Sequence, residues 1–235
     1  MCNREFSSKQ LNKIKNRIKT AALRAHRDPA DINLIAASKQ QSSSKVRDFN
    51  AAGLTQFGEN YLQEALHKQQ NLASCKINWH FIGQIQSNKC KAIAQNFSWV
   101  HTVDRLKIAE RLARFRLEHE TLSNHPLNIL LQINIDQEAS KAGISVDSAA
   151  MLCNKISELK GINLRGFMLI PQRRLNYEQQ KRPFALARST LELINQQQGL
   201  NLDTLSMGMS ADLEAAISEG ATMIRVGTDL FGPRG

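Results

Sequence analysis

Downstream of Ile32, short apolar runs alternate with longer stretches in which apolar residues recur every three or four positions, the patterns of buried strands and of helices with one covered face. The runs are Ile32 to Ser38, Thr55 to Glu59, Asn78 to Gly83, Trp99 to Val103, Asn128 to Asn134, Leu164 to Ile170, Thr204 to Met209 and Met223 to Thr228. Between them the spacing predicts helices through Val46, Phe49 and Ala52, from Tyr61 to Asn71, around Lys89 to Gln95, from Arg105, through Val146 to Leu159, from Phe184 to Asn195, and through Leu213, Ala216 and Ile217. Ahead of them, Leu11, Ile14, Ile18, Ala21, Ala22 and Ala25 predict an amphipathic helix over 7–25 that Asp28-Pro29 ends. Its alanines offer a bilayer little area, so its apolar face is expected to pack on the protein body.

Eight strand candidates, most followed by a helix, imply a parallel sheet with helical crossovers. Eight such units closing on themselves form a (β/α)8 barrel, here an α/β fold of one domain over 1–235 with an extra N-terminal helix. The competing doubly wound sheet would carry a glycine-rich turn after its first strand, where this chain has Ser38-Lys39-Gln40-Gln41-Ser42.

Barrel chemistry sits where strands end and loops begin. Those ends supply Lys39, Glu59, Asn60, His80, Gly83, Asp104, Asn134, Met168, Pro171, Ser206, Gly208, Ser210, Arg225, Gly227 and Thr228. Lys39 follows a buried apolar strand. It is either a strand-end lysine whose stem packs while its amine reaches water, or an amine in a partly dehydrated pocket, where the neutral form that attacks aldehydes is favoured. Ser206-Met207-Gly208-Met209-Ser210 and Gly227-Thr228 follow the seventh and eighth strands, where such barrels often bind phosphate; Ser210 could equally be a helix cap and Gly227 a turn residue. Asp212 and Glu214, close behind Ser210, count against strong anion binding there. Arg225 shares a strand face with Gly227 and needs an acceptor, either a heterocyclic nitrogen or a carboxylate such as Glu59 or Asp104. His80 is either a ligand contact or a hydrogen-bonded core histidine.

Composition narrows the function classes. The net charge of +10 is concentrated in the first helix and in Arg173, Arg174, Lys181 and Arg182, without interleaved aromatics or a nucleic-acid module, so a solvated basic face is expected and specific nucleic-acid binding is not. No apolar run approaches the roughly 20 residues of a membrane span, and the N-terminus lacks the apolar core of a signal peptide, which points to the cytoplasm. Cys2, Cys75, Cys90 and Cys153 form no CxxC pair, and the histidines show no metal spacing, so neither a redox motif nor a metal site is expected.

Six stretches together resemble the pyridoxal phosphate homeostasis protein family: Ala37-Ser38-Lys39, Phe57-Gly58-Glu59-Asn60-Tyr61, the run Trp79 to Lys89, Ser140-Lys141-Ala142-Gly143, the run Ser206 to Ser210, and Arg225-Val226-Gly227-Thr228. That family in turn resembles the barrel domain of alanine racemase. The resemblance implies pyridoxal 5′-phosphate (PLP) as cofactor, held on Lys39 as an internal aldimine without catalytic turnover. It further implies a phosphate site at Ser210, Gly227 and Thr228 with backbone near Met209, Arg225 facing the pyridine nitrogen, Asn60 and His80 lining the pocket, and Ser206 among the cofactor-binding residues. Lys141 matches a second lysine that takes part in handing the cofactor over. Recipients would be PLP-dependent apoenzymes, and the protein would act as a monomer. The chain stops at Gly235, too soon for the β domain of alanine racemase, which favours a binder over an amino-acid racemase; a cofactor-free aldolase using Lys39 is a third alternative. Two departures from the family pattern are expected to affect loops: Gln40-Gln41-Ser42-Ser43 where proline is common, and a long basic segment from Gln172 to Arg182.

Overall fold

A computed structural model of the chain describes residues 2–138 and 141–232. Ala139 and Ser140, the latter opening the Ser140–Gly143 motif, lie outside the described residues, as do Met1 and 233–235. Eight parallel strands close into a barrel in the order β1 to β8: Asn33–Ala37, Gln56–Glu59, Asn78–Phe81, Trp99–Val103, Leu127–Ile133, Ile162–Leu169, Thr204–Ser206 and Met223–Val226. The helices are α1 (Cys2–Arg24), α2 (Ser43–Ala51), α3 (Leu62–Asn71), α4 (Cys90–Asn96), α5 (Leu106–Leu117), α6 (Val146–Ser157), α7 (Tyr177–Gln198), α8 (Leu213–Ser218) and α9 (Thr228–Phe231).

The two-residue strand period sorts side chains to the two faces of the wall. Leu34 and Ala36 of β1 join the apolar cluster that Val46 and Phe49 of α2 also enter, whereas Ile35 is buried outside it, in register with Arg225 of β8. Odd positions of β1 therefore face the barrel interior, and even positions, Ser38 included, face the helices. The first helix packs as its spacing predicts: Leu11, Ile14, Ile18, Ala21 and Ala22 are buried, and α1 rests on α8, α2 and α9. Each buried isoleucine contributes about 1.5–3 kcal/mol. Among the described residues no helix is long and apolar enough to cross a membrane.

Several boundaries differ from the sequence expectation. β7 stops at Ser206 rather than Met209, because Gly208 turns to φ +90° and a Cβ there would lie 2.5 Å from Cβ of Ala216. β8 stops at Val226, and Thr228 opens a short helix the spacing did not predict. α7 starts at Tyr177, not Phe184, with Pro183 inside it. Asn176 caps that extension, its Oδ1 accepting from the N–H groups of Glu178 and Gln179. Half of the basic segment from Gln172 to Arg182 is thus helix rather than loop.

Candidate functional site

The turn that carries Lys39 is fixed by its neighbours. Ser38 N–H continues the ladder to Gly58 O (2.9 Å), Gln41 N–H donates to Ser38 O (3.0 Å), and Gln40, at φ +61°, donates its N–H to Glu64 Oε1 (2.6 Å). On the helix-facing side of the wall, Ser38 Oγ donates to Glu59 Oε1 (2.6 Å). Lys68 of α3 donates to Ser38 O (2.6 Å), Glu59 Oε1 (2.7 Å) and Glu64 Oε1 (2.6 Å). Lys68 and Glu59 are both buried, and burial holds the Glu59 carboxyl above the usual carboxylate range against the opposing pull of Lys68 and Ser38.

Inside the barrel a different network ends at Arg225. Arg225 is 5% exposed, and its guanidinium donates to Ser206 O and Oγ (both 2.6 Å) and to Leu169 O (2.9 Å). Neither carboxylate considered as its partner is available: Glu59 pairs with Lys68, and Asp104 with Arg105. Beyond Ser206 the chain of contacts runs from Ser206 Oγ to His101 Nδ1 (2.9 Å), His101 Nε2 to His80 Nδ1 (2.9 Å), and His80 Nε2 to Gln56 Oε1 (2.8 Å). Since arginine only donates, Ser206 Oγ accepts from it and turns its own proton toward His101 Nδ1. His101 then donates through Nε2 to His80, and His80 through Nε2 to Gln56, so both rings are neutral with the proton on Nε2. Burial agrees, pushing His80 down to about 3 and His101 well below its ordinary value.

At the strand ends lies a cavity of about 280 Å³, lined by Ala37, Lys39, Gln41, Asn60, Ile82, Met168, Ile170, Met209, Ser210, Ala211, Arg225, Gly227, Thr228, Phe231 and Gly232. It brings together seven of the nine residues expected from the sequence: Lys39, Asn60, Met209, Ser210, Arg225, Gly227 and Thr228. The other two, His80 and Ser206, lie outside the lining. His80 lies in register with Gly58 and Trp99, one inward-facing layer below the mouth, so Ile82, two residues on, takes the lining position. Ser206 is fully buried between Arg225 and His101 and supports the pocket from beneath. Met209 lines the cavity, but its N–H is already donated to Asp212 Oδ1 (2.7 Å) and is not a spare donor. Lys141 sits at the rim, paired with Glu138 and donating to the carbonyl of Ile170, a lining residue. The sequence reading missed Lys68, Glu64, His101 and Gln56. Only the i, i+4 spacing of Glu64 and Lys68 offered a signal.

The donor set fits a phosphorylated aldehyde with a ring nitrogen. Lysine offers an amine, Ser210 and Thr228 offer hydroxyls beside a glycine, and Arg225 offers N–H groups at the floor. Asn60 contributes Oδ1, buried without a hydrogen-bond partner and so available to a bound group. A larger cavity of about 450 Å³, lined by Lys13, Arg17, Arg24, Tyr177 and Glu214 among others, lies between α1 and α8 and contains none of these residues. Among the described residues no group of three or more His, Cys, Asp or Glu could hold a metal ion.

Over residues 10–235 the chain matches the family described as alanine racemase, N-terminal domain. It is 50% identical over 227 residues to the pyridoxal phosphate homeostasis protein of Pseudomonas aeruginosa, covering 97% of this chain and 95% of that one. The protein of the same name from Escherichia coli K12 is 42% identical over 230 residues, covering 95% of each chain. Among solved structures it is similar to PipY of Synechococcus elongatus PCC7942, determined with PLP bound, at 35% identity and TM-score 0.82 over 96% of this chain and 100% of that one.

Proposed function

The chain belongs to the pyridoxal phosphate homeostasis protein family, and on that premise we propose that its barrel-mouth pocket holds PLP covalently on Lys39 without turning substrate over. When bound, PLP supplies an aldehyde carbon to which an amine nitrogen bonds with loss of water. Lys39 provides that amine from a turn fixed on both sides. Ser210, Gly227 and Thr228 receive the phosphate, and Asn60 is available to a ring substituent. Arg225 donates to the ring nitrogen. Burial lowers its pKa only to about 10, so it remains a cation at neutral pH. A donor that keeps its proton leaves the ring nitrogen unprotonated, and the ring is then a weak electron sink.

One observation carries the claim of holding without turnover. Among the described residues lining the pocket, Lys39 and Arg225 are the only titratable side chains. Racemisation removes a proton from one face of a carbon and returns it on the other, which calls for two proton-transfer groups. The pocket supplies one amine, and an arginine that keeps its proton cannot serve as the second. On this reading the protein is a cytoplasmic reservoir of cofactor for PLP-dependent apoenzymes, acting as one barrel domain over 1–235.

The test combines borohydride reduction of the PLP-loaded protein, with peptide mapping, and incubation with L-alanine. We expect the label on Lys39 and no D-alanine. A label on Lys68 or Lys141 instead would overturn the attachment site, and measurable racemisation would overturn the absence of turnover.

A further inference from the structure

The two loops assigned to the phosphate carry acidic residues that an anion should avoid: Glu214 stands four residues after Ser210, and Asp229 is next to Thr228. A residue nearly two hundred positions away answers both. Arg17 of α1, outside the barrel, grips Glu214 with a fork, Nε to Oε1 at 2.9 Å and a terminal N–H to Oε2 at 3.0 Å. Its other terminal nitrogen donates to Asp229 Oδ2 (2.8 Å), and the fork also reaches the carbonyl of Ser210 (2.9 Å). All three side chains are partly shielded, at 28% exposure for Arg17, 41% for Glu214 and 36% for Asp229. Among the described residues Arg17 is the ion-pair partner of both carboxylates. Asp212, the third nearby acid, points its Oδ1 at the Met209 N–H.

We infer that Arg17 is a positioning residue that gives the pocket its preference for a phosphorylated ligand, cancelling the charge of Glu214 and Asp229 and fixing the Ser210 carbonyl away from the bound anion. Close charge pairs of this kind are felt across the low-dielectric edge of a pocket, and one guanidinium planar enough to fork a carboxylate does what a lysine could do only in part. The N-terminal helix is then a component of the binding site as well as a cover for the barrel. The inference rests on the proposed assignment of the phosphate to Ser210, Gly227 and Thr228.

Its test titrates PLP and pyridoxal, which share the ring and aldehyde and differ in the phosphate, into four proteins while following visible absorbance. The proteins are wild type, Arg17→Met, Arg17→Lys, and the triple variant Arg17→Met/Glu214→Gln/Asp229→Asn. We expect Arg17→Met to weaken PLP at least about tenfold and pyridoxal less than about threefold, Arg17→Lys to fall between, and the triple variant to recover most of the PLP affinity. Equal losses for both ligands, or a triple variant no better than Arg17→Met, would reduce Arg17 to a helix-docking contact and overturn the inference. The triple variant also guards against a folding artefact, since it removes the repulsion without restoring the arginine. Wild type binding pyridoxal as tightly as PLP would instead sink the underlying phosphate assignment, whatever the variants do.

Discussion

Two buried cations serve this site, one on each face of the barrel wall, and they are held in opposite ways. Lys68, between wall and helices, is surrounded by carboxylates: Glu59 and Glu64 share its ammonium, and the Ser38 carbonyl accepts its third hydrogen bond. Arg225, inside the barrel, forms no salt bridge among the described residues, feels Asp212 only through space, and rests on two carbonyls and a serine hydroxyl at the head of a chain of neutral dipoles. The difference follows from what each does on the proposed assignment of the pocket. A cation whose task is to fix a turn is best neutralised on the spot, since the ion pair then leaves no field in the pocket. A cation meant to act on a bound ring must keep its field, so its supports orient it without cancelling it.

The sharpest way to break this contrast is to remove one member of the ion pair. Lys68→Met strands the Glu59 carboxylate in a fully buried position and should cost about 3–5 kcal/mol in urea unfolding, with Glu59→Gln/Lys68→Met recovering much of the loss. A loss below about 1 kcal/mol would mean that the pair is not what holds the wall. The neutral chain should show itself next, through pH. His80 and His101 have folded pKa values far below their unfolded value of about 6.5, so below that pH the unfolded state binds more protons and stability falls as pH drops. At pH 5.5 each histidine should cost about 1.3 kcal/mol relative to neutral pH, about 2.5 kcal/mol together. His80→Gln/His101→Gln should flatten that dependence, and an unchanged slope would contradict the neutral assignment. Smallest is Ser38→Ala, which removes one hydrogen bond to Glu59 and should cost about 1 kcal/mol.

The same contrast marks how far the sequence could be read. The eight strands and their alternation with helices were legible because burial imposes a period on every element. Lys39, Asn60, Ser210, Arg225, Gly227 and Thr228 were legible because barrel topology gathers strand ends at one mouth. Depth along a strand was not. His80 and Ser206 stand one layer too low, and that depends on register between neighbours, set by the whole barrel. Lys68 looked like any polar position on a helix, since its burial arises only when α3 lies over the outward-facing Glu59. Arg17 was equally hidden among the basic residues of α1. The acidic pair it answers was half visible, with Glu214 standing as an objection to an anion site that only the tertiary contact removes. The extension of α7 through Pro183 escaped because proline ordinarily argues for a helix boundary, whereas here the helix starts at the Asn176 cap and carries Pro183 in its interior.

The central claim is that Lys39 holds the cofactor, and the visible spectrum tests it most directly. Wild type and Lys39→Ala, each saturated with PLP and desalted, should differ completely. Wild type should retain a visible band of covalently held cofactor, and the variant should be colourless. A band of equal strength in Lys39→Ala, or a wild-type protein that PLP leaves colourless, would contradict the account.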